Sequence, residues 1–466
     1  MFPSSLARKV GWLLLPLLAL VGLGIFLRTV PNPGGVRERL ERLRAAGLPT
    51  TPAELDAWYV TPPPAQNLAL PVLDVAAALR GAERLDTNLP WLGRGPIPPS
   101  GVPLELGLRT RLEGFVRTNR EALKVARAAA ERPSSRYPVV LSAGGLNARF
   151  PDLSPVRTVA GALVLEAVVA AEEGAADLAA ADLVAGVRVA DSLVFLPVSQ
   201  WVNAGQSLYR IVAQGSQRVL GQHLLSDAQL LGLQQAWSNS LTIPIAERAL
   251  VGSIALYEPI QSMSVSEALN HFDPGTDGST ESFVETVRLG LYVAAGGLRT
   301  DYGVLVENWD ERRLAAQLEY PQRLAKEAKL KAELEDRFRS SYLPAARYFT
   351  SADHEGRAQS VALRRAAVTA CAVERYRLQH ASKLPTQLEQ LVPEFLPTVP
   401  LDPFDGRPLR YVPSREGYVL YSVGPDKVDD RGRPNQRSRK PGEPTTWDVT
   451  FAVGPIPGQK PDRMAP

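Results

Sequence analysis

Between residues 422 and 432 the chain concentrates three carboxylates, Asp426, Asp429 and Asp430, in a loop bounded by Gly424 and Gly432. Glycine tolerates the positive φ that tight turns need, so the pattern reads as a compact acidic loop. Carboxylates held this closely repel one another unless something neutralises them or water solvates them. Lys427, Arg431 and Arg433 lie beside them, so a solvated turn balanced by its own cations is the competing reading.

Elsewhere the residue types that perform catalysis are scattered. His223, His271, His354 and His380 belong to no H-x-x-x-H pair and no cysteine cluster, which speaks against zinc. There is no G-x-S-x-G elbow, no Walker loop and no G-x-G-x-x-G after a strand, and the acid next to a serine at Asp191 and Ser192 is commonplace. The single cysteine, Cys371, sits in the apolar run Ala366, Ala367, Val368, Ala370 and Val373 and reads as a buried structural thiol. Residues 271–278 resemble part of an EF-hand loop, with oxygen donors at Asp273 and Asp277. Gly275 holds the third position and Glu285 falls one residue beyond the bidentate one, so an exposed loop is preferred. Glu166, Glu172 and Glu173, in an apolar helix pair, are expected at its rim rather than as a catalytic dyad. Trp58, Tyr59, Trp91, Trp201 and Tyr209 are expected in the core. No enzyme is expected from these residues.

The elements that must position the acidic loop are a helix and a small sheet. Residues 357–380 carry apolar side chains at Val361, Leu363, Ala366, Ala367, Ala370, Cys371 and Val373, one wide face of an amphipathic helix ended by Leu384 and Pro385. A short helix with Leu388, Leu391, Val392 and Phe395 follows. Asp402 and Asp405, in Asp-Pro and Asp-Gly steps, are turn-formers, and residues 409–412 and 418–423 read as a hairpin.

The order YRLQHASKLPTQLEQLVP, LPTVPLDPFDGRPLRY, GYVLYSVGPD and a late WDVTF resembles the soluble domain of the major pseudopilins of type II secretion systems. The resemblance implies an exported α+β fold whose acidic loop binds calcium through aspartates and backbone carbonyls, and the matching positions here are Asp426, Asp429, Asp430 and Asp448. The chain departs from that family in two respects. Residues 433–446 (RPNQRSRKPGEPTT) form a basic insertion whose cations compete with a metal for the carboxylates, and the N-terminal segment lacks the family's processing signature, so the chain does not read as a polymerising pilin.

Upstream, residues 10–27 (VGWLLLPLLALVGLGIFL) follow Arg8 and Lys9 without a charge and are long enough to cross a hydrocarbon core of about 30 Å. With no clear A-x-A exit they read as an uncleaved signal anchor. Arg28, Arg37, Arg39, Arg42 and Arg44 outnumber the charges before the segment and argue for the reverse orientation. The N-terminus is nevertheless placed inside, because long downstream domains translocate largely regardless of charge. Residues 36–46 read as a stalk helix, Thr51, Pro52 and Glu54 as a capped helix start, and residues 156–173 and 175–193 as a helical hairpin hinged at Gly174. Residues 312–339 are predicted as one long, solvated, salt-bridged helix.

The 466 residues, 45% hydrophobic and 22% charged, suffice for two or three domains. Lys+Arg 52 against Asp+Glu 49, a net charge of +3, supplies no concentrated basic face and speaks against nucleic acid. The expected fold class is mainly α: a transmembrane segment (1–30), a stalk (31–65), a helical-hairpin body (66–345), a pseudopilin-like α+β module (350–455) and a disordered tail (456–466). The expected role is structural or interactive, in a bacterial-type inner membrane crossed once, with the bulk of the chain periplasmic, near a type II secretion or pilus-like apparatus and its envelope proteins. An envelope hydrolase with its site between helices and a helical ligand receptor are the alternatives.

Overall fold

The computed structural model describes residues 35–79, 89–93, 95–144, 150, 152–272, 280–349, 354–433 and 448–454. The candidate membrane segment at residues 10–27, the donors Asp273 and Asp277, the insertion beyond Arg433 and the tail at 456–466 lie outside the described residues.

The architecture is mainly helical with one small sheet near the C-terminus. Helix α1 (Val36–Ala45) is followed by α2 (Pro52–Trp58), which starts as its residues require: Thr51 accepts from the Glu54 amide, Glu54 reaches back, and Pro52 occupies the first turn. Helices α3 (Ala69–Ala78) and α4 (Leu106–Ala130) lead into the hairpin α5 (Ser154–Glu172) and α6 (Ala176–Val194), with Gly174 at φ +79° as the left-handed stop between them. Helix α5 is long and apolar enough to cross a membrane, but 78% of its most apolar stretch is buried against its neighbours, as befits a central core helix. Helices α7 (Ser199–Leu220), α8 (Asp227–Thr242) and α9 (Ile245–Leu256) complete this body.

A second core gathers α10 (Val265–Phe272), α11 (Thr280–Ala294), α12 (Gly297–Ala315), α13 (Gln322–Ser340) and α14 (Pro344–Phe349) around Tyr302, Leu305 and Val306. Leu43 of α1 is buried in it, and Arg39 ties α1 to Asp310 at 3.0 Å. The single helix predicted over residues 312–339 is two helices. Pro321 breaks it, since proline supplies no amide and biases the residue before it away from the helical region. Nor is its first part a solvated face: Arg312 is only 3% exposed.

Helix α15 (His354–Gln379) packs on one side against α7 and α8 and on another against an antiparallel sheet ordered β1 (Arg410–Pro413), β2 (Tyr418–Ser422), β3 (Val449–Val453). One continuous hydrophobic core therefore runs from α2 through the helical body into α15 and the sheet, with Cys371 fully buried in it.

Candidate functional site

The acidic loop is anchored at its root by Asp402, which has no exposed surface. Its Oδ1 accepts from the Phe404 amide at 2.9 Å and the Ser422 hydroxyl at 2.8 Å, and its Oδ2 accepts from the Val423 amide at 2.9 Å and from Arg410. The turn-forming aspartate of the sequence thus also clamps the end of β2, where the loop departs. Strand β2 is buried along its whole length, and its Tyr418 hydroxyl donates to the Ala370 carbonyl of α15 at 3.1 Å. At the far end of the sheet two segments of the chain touch: a Cβ on Gly454 (φ +85°) would clash with the Glu416 carbonyl oxygen.

Within the loop the four candidate carboxylates have different environments. Asp426 is exposed, and its Oδ1 accepts from the Val428 amide at 3.2 Å, an Asx turn of its own. Asp429 is exposed and accepts from the Arg431 amide at 2.8 Å and the Tyr421 hydroxyl at 3.0 Å. Asp430 is half-buried. Asp448, just before β3, is 1% exposed; its Oδ2 accepts from the Gly432 amide at 2.8 Å, and Oδ1 is buried without a hydrogen-bond partner among the described residues. Burial pushes the Asp448 carboxyl up to about 6, the Gly432 and Asp430 amides oppose that rise, and the negative charges of Asp430 and Asp429 add to it. Asp429, Asp430 and Asp448 therefore act on one another electrostatically, whereas Asp426 is committed to its own turn. Among the described residues no three His, Cys, Asp or Glu side chains are gathered closely enough to form a ready-made metal cluster.

The helical body holds buried charge that the sequence did not disclose. Glu166 is not a rim residue: it is 2% exposed on α5, facing Asp182 of α6, which is fully buried. Arg127 of α4 bridges them, donating through one nitrogen to Glu166 and to Asp182 at 2.7 Å. Burial, then the charge of Glu166, raises the Asp182 carboxyl to about 8, and burial raises Glu166 as well. The site is near neutrality when the two carboxyls share one proton beside the guanidinium. The surprise has a geometric cause: the hairpin turns Glu166 inward toward α4, a third helix whose register is not encoded in the hairpin itself.

Nearby, Asp191 accepts from the Tyr209 hydroxyl at 2.7 Å, and the Ser192 hydroxyl donates to the Val189 carbonyl at 2.6 Å and lies 2.8 Å from the Tyr137 hydroxyl. Ser192 is 1% exposed and meets no histidine, so the adjacent acid and serine form a structural network. His223, held at φ +55°, is paired with a buried acid, its Nδ1 lying 3.1 Å from Glu374 Oε2 of α15. It lines an open recess of about 590 Å³ together with Asp177, Ser226, Gln229 and Leu378. Ser226 is occupied there as the capping residue of α8.

Compared with known proteins, the chain matches no family model, no curated protein sequence and no solved structure.

Proposed function

We propose that this chain is a membrane-anchored envelope protein with a structural or interaction role, ending in a pseudopilin-like module whose loop takes calcium. The anchor is the apolar run at residues 10–27, and the bulk of the chain lies on the periplasmic side, in reach of a type II secretion or pilus-like apparatus. The observation that carries the reading is the C-terminal arrangement: a long helix against a three-stranded antiparallel sheet, with the acidic loop leaving β2 and closing on Asp448 at the head of β3.

The calcium assignment is supported by the unpartnered, buried Asp448 Oδ1 set against Asp429 and Asp430. These three are not gathered into a ready-made cluster; drawn together around the ion they would hold it with loop carbonyls, and Asp426 would join from its own turn. A hard divalent cation takes oxygen donors in flexible geometry and would supply the neutralisation that this acidic loop calls for. Affinity capture of the full-length protein from its native membrane tests the partner class: recovery of secretion or pilus-like components supports the interaction role, and their absence from specific partners argues against it.

The hydrolase alternative would be located at the recess beside His223 and Glu374, where one imidazole nitrogen is oriented by a buried carboxylate. Replacing His223 by alanine would abolish any hydrolysis centred there.

A further inference from the structure

Where α12, α13 and α15 meet, the protein buries more positive charge than it neutralises. Arg312 of α12 is 3% exposed, and the Arg323 and Arg357 side chains retain 12% each. The carboxylate paired with them among the described residues is Glu327 of α13, whose side chain is 1% exposed. Arg323 pairs with it through Nε at 3.0 Å, while Arg357 Nη2 stands 3.7 Å from its other oxygen, too far for a hydrogen bond.

Four further donors have no acceptor among the described residues. Arg312 Nε, Arg357 Nε and Nη2, and the Ser360 hydroxyl one turn further along α15, are all buried without a hydrogen-bond partner. Guanidinium groups do not shed their protons at physiological pH, so the charge cannot be relieved by deprotonation. Water can satisfy an N–H group but leaves the net charge in place, and a buried charge without a counterion is costly.

Two helix ends contribute to the same field. Arg323 lies in the first turn of α13, which carries no acidic residue, and Arg357 lies in the first turn of α15, whose one acid, Glu355, is exposed to solvent. A cation is unfavourable at the positive end of a helix dipole, and an anion is favoured there. Burial and the neighbouring Arg357 charge lower the Arg312 guanidinium to about 10, in keeping with a site short of negative charge.

We propose that Arg312, Arg323 and Arg357, with the Ser360 hydroxyl, form a binding site for a small oxyanion of the phosphate or sulfate class. The planar guanidinium fork matches such oxygens, and the Arg323 and Arg357 side chains, which retain some exposure, form the edge nearest solvent. A bound oxyanion would tie the α12–α13 pair to α15 and so join the second core to the C-terminal helix.

The test is calorimetric titration of the full-length protein in detergent with sodium phosphate and, separately, sodium sulfate, each against sodium chloride of equal ionic strength. Saturable binding of either anion at one site per chain is expected, weakened about tenfold or more by Arg312→Met, as loss of a charge-assisted donor implies. Glu327→Gln, which removes the competing carboxylate and leaves the guanidiniums, should tighten binding severalfold. It decides the matter if Arg312→Met fails to fold. Absence of saturable heat with both anions in the wild type overturns the proposal. So does equal binding by wild type and Arg312→Met, or an affinity unchanged or weakened in Glu327→Gln.

Discussion

Replacing Asp182 by asparagine should remove a specific pH dependence of stability. In the native protein the Asp182 carboxyl is raised from about 3.8 to about 8 by burial and by the charge of Glu166, so it holds its proton across the range in which the unfolded chain has lost it. The folded state then binds one more proton than the unfolded state, and stability falls as pH rises, by about 1.4 kcal/mol per pH unit between the two values. The contribution is fully present below pH 4, is lost progressively, and levels off above pH 8. Between pH 5 and 7 this one group accounts for about 3 kcal/mol.

Asparagine mimics the protonated carboxyl in shape and as a donor but cannot ionise. The stability difference between wild type and Asp182→Asn, from denaturant titrations at pH 5, 6 and 7, should therefore shift in favour of the variant with that slope. An infrared difference spectrum at pH 7 should show a protonated carboxyl band in wild type that the variant lacks. Parallel pH profiles with no such band would refute the shared proton and leave Glu166 and Asp182 as an ordinary pair of ionised acids on Arg127.

Three further outcomes follow from the geometry. Asp402→Ala removes the acceptor for the Phe404 and Val423 amides, the Ser422 hydroxyl and Arg410, and should cost about 3 kcal/mol or more in denaturant titration. Gly252→Ala would bring a methyl group to 1.7 Å from the Pro197 carbonyl oxygen, so α9 must move away from the turn after α6; a loss of about 1–3 kcal/mol is expected. If the loop takes calcium as proposed, wild type should melt higher with calcium than with chelator, Asp448→Asn should abolish that rise, and Asp426→Asn should weaken it less.

Much of the fold was legible because its signals are local. The capping box at Thr51 and Glu54, the hinge at Gly174, the amphipathic face of α15 and the hairpin around residues 414–417 each depend on neighbours in sequence, and each lies where the pattern put it. The break at Pro321 was also local, but alternating charge on both sides masked it as one solvated helix. Buried charge was illegible for a different reason: Glu166 and Asp182 are acids in apolar helices, whose partner Arg127 lies on another helix, while Arg312 and Glu327 sit in charge-rich stretches that resemble a solvated face and are turned inward by their neighbours. In the acidic loop the sequence grouped Asp426, Asp429 and Asp430 equally. The folded chain separates Asp426 into its own turn and makes Asp448, remote in sequence, the carboxylate with an oxygen to spare.

The anchored, exported placement of the chain can be tested most directly by fractionating cells that express the full-length protein and treating spheroplasts with protease. The chain should sediment with membranes, resist alkaline carbonate, and lose its C-terminal module to protease added outside the inner membrane. Recovery in the soluble fraction, or full protection of the module in intact spheroplasts with digestion only after lysis, would contradict it.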